Sequence, residues 1–417
     1  MHFGIISPPV PGHIHPFGAL GRELIERGHR VTFFQMCDLA ERVALEELEF
    51  VPIGQSDHPR GSLPQSLAKL GELNGLAALR FTIQQIAKTT EMFCRDAPTA
   101  IQQAEVEFLL VDQTEPEGGS IAEHLGLPFV TICNALALNR EADVPPPFTS
   151  WSYQRSWWAA GRNTVGYAVS DRVMKPVTQV VKKYRKQWGL PAYRSNEDSF
   201  SPLAQISQQA AAFDFPRRRL PNSFHYVGPL RKASSRVIPF PWEKLVGHRL
   251  IYASLGTLQN GKEAVFRCFA EACQGLDVQL LVSHGGGLTA EAASSLPGSP
   301  LVVNYSPQLQ VLERASLTLT HAGLNTVLDS LSQGVPLVAI PITYEQPAIA
   351  KRVAWCGAGE VLPFPELRAE TLRGLIQRVL SQPTYGEKAK SIQQSIRKAG
   401  GVGRAADLIE GFVKSDG

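Results

Sequence analysis

Short apolar runs alternate with longer amphipathic stretches along most of the chain. Phe3–Ser7, Val31–Gln35, Phe108–Asp112 and Phe129–Cys133 predict buried parallel strands. Pro16–Arg27 predicts a helix, with Leu20, Leu24 and Ile25 on one face and Gly28-His29 ending it. The rhythm returns in the second half at Leu250–Ser254, Gln279–Ser283, Leu301–Tyr305, Leu317–Thr320 and Leu337–Pro341. Residues 70–105 and 171–188 carry long helical patterns. Strands alternating with helices in this way predict α/β domains built on doubly wound sheets. Periodicity fails over Gly228–Gly247, which holds Pro229, Pro239, Pro241 and the pair Ser234-Ser235. That stretch predicts an interdomain linker. The boundaries are therefore set at 1–232, 233–399 and 400–417, the last opened by Gly400-Gly401 and continued by a helix over Arg404–Lys414.

Composition narrows the options. The chain has 417 residues, enough for two separate cores. Its 41 basic and 38 acidic residues give a net charge of +3, which implies no nucleic-acid partner. Cys37, Cys94, Cys133, Cys268, Cys273 and Cys356 show neither a Cys-x-x-Cys pair nor zinc spacing, so buried free thiols in a reducing cytoplasm are expected. His2–Ser7 is too short for a signal h-region, and no apolar run reaches the ~18 residues of a bilayer span.

The chemistry gathers between Tyr305 and Gln346. Leu317–Thr320 ends a buried strand, and Gly323 to Ser332 has the composition of a helix. The intervening turn carries His321, Gly323 and Asn325-Thr326, so unpaired N–H groups and the positive helix pole form a seat for a diphosphate. Asp329 lies about one helical turn beyond Asn325, placed to accept hydrogen bonds from ribose hydroxyls. Glu345-Gln346 follows the next strand and offers a carboxylate and an amide to a polyol. Ser254-Leu255-Gly256-Thr257 also follows a strand and would bring Ser254 and the Thr257 hydroxyl near a phosphate; alone, it reads as an ordinary strand-to-helix turn. His284-Gly285-Gly286-Gly287 is a weaker candidate for the nucleotide or for the other domain. In the first half, Pro8-Pro9-Val10-Pro11-Gly12-His13-Ile14-His15-Pro16 makes a stiff turn at a strand's carboxyl end, and Asp112 ends a second strand on the same edge.

Pro307, Gln308, His321, Gly323, Asn325, Gly334, Pro336, Pro341 and Gln346 stand in one register. This register resembles the donor-binding signature of the family 1 UDP-sugar glycosyltransferases. Tyr305 and Leu324 stand where most members have Trp, and Asp329 and Glu345 exchange the usual Glu and Asp, which leaves the sugar open. The resemblance implies the GT-B fold, two Rossmann-like domains facing across a cleft, with the last helix crossing back to the first domain. It implies that Gly12 belongs to the donor site, that Tyr305 stacks on uracil, that Gln308 pairs with its edge, and that Leu324 lies beside the donor. His321 would give the diphosphate a hydrogen bond, from a neutral or a cationic ring. His13 matches the position of the general base, and Asp112 that of the carboxylate fixing its tautomer. An isolated histidine there would more often be a capping residue; Asp112 lies six residues too early to cap a helix near Gly118.

The implied reaction is transfer of a hexose, glucose first, from its UDP ester to a hydroxyl, with inversion. No Asp-x-Asp metal motif occurs, so no metal or cofactor is expected. UDP-sugar 2-epimerases, a non-catalytic sugar-nucleotide binder and a retaining GT-B enzyme are the rivals. For the acceptor, Leu110–Pro116, Asn134-Ala135-Leu136, Asn139-Arg140-Glu141 and Pro145–Phe148 resemble the zeaxanthin glucosyltransferases, favouring a carotenoid over flavonoid-like alcohols. Residues 144–158 crowd Phe148, Trp151, Tyr153, Trp157 and Trp158 into a loop-like segment, and Lys175, Lys182, Lys183, Arg185 and Lys186 follow. A peripheral contact with an anionic membrane is one expectation from that pattern. A core-forming aromatic cluster with a solvated basic face is the other.

Overall fold

A computed structural model describes residues 1–73, 75–233, 238–257 and 259–413; the expected linker residues 234–237 and Lys414 lie outside this set. The first sheet comprises β1 (His2–Ile6), β2 (Arg30–Met36), β3 (Glu49–Ile53), β4 (Phe108–Asp112), β5 (Phe129–Cys133), β6 (Gln205–Ser207) and β7 (Phe224–Tyr226). Its spatial order is β3-β2-β1-β4-β5-β6-β7. The second comprises β8 (Arg249–Ser254), β9 (Val278–Ser283), β10 (Leu301–Val303), β11 (Ala315–Thr320), β12 (Leu337–Ala339) and β13 (Gly359–Val361), ordered β10-β9-β8-β11-β12-β13. Neighbouring strands run parallel in both.

Both faces of each sheet are covered, which is why the strands read as continuous apolar runs. Ile5, Phe33 and Leu110 pack with Phe17, Leu20 and Leu24 on one side of the first sheet. Ile6, Phe34 and Leu109, their neighbours in sequence, point to the other side among Met92 and Phe93. The last helix, Gly401–Val413, puts Ala405, Ala406 and Ile409 into the first domain's core. Arg27 bonds Asp407 at 2.7 Å and His29 bonds Glu410 at 3.0 Å, tying that helix to the first.

Several boundaries differ from expectation. The first helix is Pro11–Glu26, five residues longer at its start, because proline is tolerated in a helix's first turn, where its missing N–H has no carbonyl to bond. The 70–105 pattern contains Ser62–Glu72 in part and then Gly75–Gln103, and the 171–188 pattern is split at Met174 between Trp157–Val173 and Lys175–Gln187. Trp157 and Trp158 therefore open a helix and do not belong to a loop. β10 and β12 stop at Val303 and Ala339, short of Tyr305 and Pro341. β3, β6, β7 and β13 went unpredicted; each is a short strand on an outer flank of its sheet. No helix among the described residues is long and apolar enough to cross a membrane.

The two lobes meet over a dry contact. Leu136, Ala210 and Phe213 of the first pack against Leu324, Val327 and Leu328 of the second. Beside them Arg352 Nε donates to Asp214 Oδ1 at 2.8 Å, with both side chains 1% exposed. Burial pushes the Asp214 carboxyl up, but Arg352 and Arg217 more than reverse this and hold it well below the usual range. Replacing Arg352 by Met keeps most of the volume and leaves the buried carboxylate to Arg217 Nε at 3.0 Å and the Tyr226 hydroxyl at 2.8 Å. That variant is expected to lose about 1–3 kcal/mol, read from the urea midpoint at unchanged slope. An unmoved midpoint would show that the pair does not hold the lobes.

Candidate functional site

Each sheet presents its chemistry where its strand order reverses. In the first lobe β1 and β4 are neighbours, with Ile6 beside Val111, and the chain leaves them at the loop before His13 and at Asp112. In the second, β8 and β11 are neighbours, with Ser254 beside Thr320, leading to Gly256 and to the His321 turn. Crevices of this kind at the carboxyl ends of parallel strands are where open α/β sheets bind ligands.

His13 lies in the first turn of its helix. Its Nδ1 is 2.8 Å from Asp112 Oδ2, and Asp112 is fully buried. Three further donors hold that carboxylate: Asn134 Nδ2 at 2.9 Å, the Thr114 N–H at 2.9 Å and the Thr114 hydroxyl at 2.7 Å. Asp112 therefore closes its own turn and does not cap Gly118–Leu125, whose N-cap is Glu117. Burial works against a charged His13, yet the Asp112 charge and hydrogen bond prevail and raise its pKa above the ordinary value. Burial likewise opposes an ionised Asp112, and His13 with Thr114 holds its pKa down. Because Nδ1–H donates to Asp112, Nε2 is the free base face of the neutral ring. His15 points elsewhere: its Nδ1 pairs with Glu46, and Arg42 donates to its Nε2 at 2.7 Å.

The second lobe meets the residue before His13. Asn325 Nδ2 donates to the Gly12 carbonyl at 2.8 Å, and Gln208 Nε2 donates to Asn325 Oδ1 at 3.2 Å. The Gly12 carbonyl would ordinarily accept from the residue four further on, but that residue is Pro16, which has no N–H. Glu345 Oε2 accepts the Leu136 N–H at 3.0 Å. Burial raises the pKa of Glu345, only partly offset by that N–H and by the charge of His13. Gly323 caps the helix Leu324–Ser332 without any side-chain hydrogen bond, so the N–H groups of its first turn, including Asn325 and Thr326, keep their donors.

His321 sits behind that helix start in a slot made by two glycines. A Cβ on Gly256 would lie 2.8 Å from its Cε1, and one on Gly323 would lie 2.7 Å from both Cε1 and Nε2. Burial lowers its pKa to about 4, with the Ser254 main chain pulling weakly the other way. Burial thus favours the neutral ring over the cationic option for His321.

Three other expected donor residues are already engaged. Asp329 is buried; Arg231 Nε donates to its Oδ1 at 2.6 Å and Gln308 Nε2 to its Oδ2 at 2.6 Å. Gln308 Oε1 accepts from the Tyr252 hydroxyl at 2.9 Å, so its amide orients Asp329 and does not present itself to a base edge. Gln346 Oε1 accepts the N–H groups of Ile342 and Thr343, both at 2.9 Å, and thus shapes the loop before Glu345. Leu324, expected beside the donor, is 5% exposed and packed in the interlobe core, leaving only its backbone there. Tyr305 and Thr257 are exposed, and Ser254 is buried with its hydroxyl bonded to the Gly256 N–H. His284 is buried and accepts from the Leu288 N–H at 2.9 Å, so the glycine loop after it stays within its own lobe. Arg231, Gln208, Asn134 and Thr114 were missed. Arg231 also reaches Asn325 Oδ1 at 3.1 Å and Gln208 Oε1 at 3.3 Å, making it the hub of the network.

The sequence model of the family described as "UDP-glucoronosyl and UDP-glucosyl transferase" matches residues 65–398. The chain belongs to this UDP-glycosyltransferase family. Zeaxanthin glucosyltransferases of Pantoea ananas and Pseudescherichia vulneris are each 37% identical to it, covering 98% of this chain and 95% and 97% of theirs. The calicheamicin glycosyltransferase CalG4 superposes with a TM-score of 0.78 at 21% identity, over 99% of this chain and 98% of that one. The kitacinnamycin glycotransferase gives 0.75 at 23% identity, over 98% of both. These two structures show the fold, which is GT-B. The protein is thus a UDP-glycosyltransferase whose two lobes carry the features described above.

In this UDP-glycosyltransferase the His321 slot is testable by itself. Gly256→Ala adds a Cβ against the ring at a backbone φ of +67° and is expected to cost about 1–3 kcal/mol in chemical denaturation. Gly261→Ala, where a Cβ meets nothing within 4 Å, should be nearly neutral. Arg231→Ala should raise the KM for the sugar nucleotide about tenfold while changing kcat less than threefold, because Asp329 and Asn325 lose their shared anchor. A fall confined to kcat would place Arg231 in a different role.

Proposed function

We propose that this enzyme transfers a hexose, glucose first, from its UDP ester to a hydroxyl of a lipophilic acceptor with inversion at C1. The observation that carries the reading is the His13–Asp112 pair standing one residue from the Gly12 carbonyl that Asn325 grips from the other lobe. This contact sets a base beside the start of an uncapped helix. In the proposed step His13 Nε2 takes the acceptor's O–H proton while that oxygen attacks C1. The C1–O bond to the diphosphate breaks and UDP departs. Developing negative charge on the diphosphate meets the free N–H groups of the Leu324–Ser332 helix and a hydrogen bond from neutral His321. Tyr305 offers an exposed ring for the base. Asp329 keeps one lone pair on each oxygen for ribose hydroxyls beyond those used by Arg231 and Gln308. Glu345 and Gln346 are assigned to the sugar, with Gln346 Nε2 as the donor its loop contacts leave over.

Support for a carotenoid acceptor comes from the two zeaxanthin glucosyltransferases, alike over nearly the whole chain, acceptor lobe included. A panel of UDP-sugars against zeaxanthin, flavonoids and simple phenols, read by mass spectrometry, tests it. Zeaxanthin mono- and diglucosides are expected; broad activity on phenols with none on zeaxanthin would redirect the acceptor to small aromatic alcohols. NMR at the anomeric carbon should show a β-glucoside from the α-linked donor, and a retained α configuration would rule out single displacement.

His13→Ala should lower kcat by about 10²–10⁴ while UDP binding by calorimetry persists. Only neutral His13 can act as base, so kcat/KM should rise with pH through its raised pKa. Asp112→Asn removes the charge that raises that pKa. The acidic limb should then move to lower pH, while the plateau falls because the tautomer is no longer fixed. An acidic limb that stays in place would separate the limb from His13.

A further inference from the structure

The helix Trp157–Val173 carries four of its large apolar side chains outward. The residues it buries are Ala159, Asn163, Gly166 and Tyr167. Asn163 Nδ2 donates to the Ala142 carbonyl at 2.8 Å, and the Tyr167 hydroxyl donates to the Val144 carbonyl at 3.0 Å. Gly166 lets the helix close on the loop beneath, since a Cβ there would stand 2.8 Å from Trp151 and 3.0 Å from Pro146. Small and polar groups thus dock the helix, while Trp157 is 88% exposed, Val165 63%, Val169 56% and Trp158 48%. At helical spacing these four and exposed Ala168 fall on one arc. Sequence and structure agree on neither earlier expectation alone. Tyr153 is core, stacked on Phe215 with centroids 5.3 Å apart, whereas Trp157 and Trp158 are not.

Charge decides what this face suits. Arg162 lies at the edge of the arc, its guanidinium over the rings of Trp151 and Trp158 at 4.6 and 5.4 Å. Exposed Arg172 and Lys175 stand at its C-terminal end, and among the described residues neither has an ion pair. The carboxylate nearby, Asp171, is taken up by Arg140 at 2.6 and 2.9 Å and by Asn196 at 2.9 Å. The next helix adds exposed Lys182 and Lys186. An outward arc of two tryptophans and two valines rimmed by unpaired cations matches a helix that lies in the headgroup region of an anionic bilayer.

We infer that the Trp157–Val173 face is a docking surface for an anionic lipid membrane. Indole and valine side chains enter the interface, while Arg162, Arg172 and Lys175 meet lipid phosphates. The segment also touches the second lobe: Tyr153, four residues before Trp157, meets Trp355 edge-on at 5.0 Å, and Trp355 ends the helix that Gln346 begins. The inference does not depend on the acceptor's identity, because it is read without substrate.

The test uses the full chain in vesicle flotation, with phosphatidylcholine alone or mixed with phosphatidylglycerol. Binding to the anionic vesicles, weakened by salt and accompanied by a blue shift of tryptophan emission, is the expected result. Trp157→Ser with Trp158→Ser, and separately Arg172→Gln with Lys175→Gln, should each weaken it about tenfold or more. Their folding is checked by circular dichroism and by UDP binding. Wild-type protein that fails to float overturns the inference, and so does flotation unchanged in both variants or insensitive to salt and lipid charge. A concentration-dependent dimer that the Trp variants dissolve, without vesicle binding, would assign the face to a second copy and also overturn it. Loss of flotation with transfer to a dissolved acceptor intact separates this surface from the catalytic reading.

Discussion

The arrangement depends on one constraint, the spacing at which two carboxyl edges of parallel sheets are held apart. A doubly wound sheet collects its reactive groups at a strand-order reversal, and a single such edge can bind a nucleotide or hold a base. Transfer between two substrates needs two edges that face each other at bond-making distance. Here the buried Arg352–Asp214 pair and the Leu136–Phe213–Leu324 contact set that distance from behind. The Asn325–Gly12 bond registers it at the front. The last of these has a chemical origin in the sequence. Pro16 interrupts the hydrogen-bond ladder of the first helix, and the carbonyl so released belongs to the residue before His13. A helix with Ala at that position would spend the carbonyl on itself.

Charge around the cleft is arranged so that little of it is mobile. Asp112 accepts four hydrogen bonds, which fixes its anion and through it the His13 ring. Across the gap, burial keeps His321 neutral, and it also lifts the Glu345 pKa. A neutral His321 is compatible with a diphosphate site. It donates one hydrogen bond without a charge that would have to be desolvated, and the helix N-terminus supplies positive potential without a counterion. The glycines at 256 and 323 are then explained by the ring they admit and need no ligand to justify them.

Much of this was legible in the chain. Apolar runs located the strands flanking both reversals, because a strand covered on two faces cannot hide its hydrophobicity. Asp112 was legible because it ends such a run, His13 because it follows one across a short proline turn, and the start of the Leu324–Ser332 helix because Gly and Asn mark it. The failures share a cause, which is that the partner of a side chain is a tertiary fact. Gln308 and Asp329 each have the composition of a nucleotide ligand, and nothing local reveals that they bond each other and, through Asp329, an arginine of the linker. The neutrality of His321 follows from burial between two glycines brought together from different strands. The start of the first helix was misplaced because its prolines read as a stiff turn, although one of them occupies the position where a helix accepts proline. The outward tryptophans and valines of Trp157–Val173 could not be read from periodicity, because that stretch has no apolar stripe to follow.

The pairing of Asp329 with Arg231 bears on how donor binding is tuned. A carboxylate has about four acceptor sites, and Arg231 and Gln308 use two, one on each oxygen. In the proposed donor mode, ribose hydroxyls would use the remaining sites without displacing either. The arginine therefore need not move for a donor to enter in the proposed mode, and its hydrogen bond holds the buried carboxylate in one orientation. Its position in the chain gives this a structural consequence. Arg231 follows the last strand of the first lobe and binds both Asn325 and Gln208, so the group that orients Asp329 also ties the Leu324–Ser332 helix to the lobe that carries His13. The side chain proposed to support donor affinity is thus also one of several contacts between the lobes, the others being Arg352–Asp214 and Asn325–Gly12.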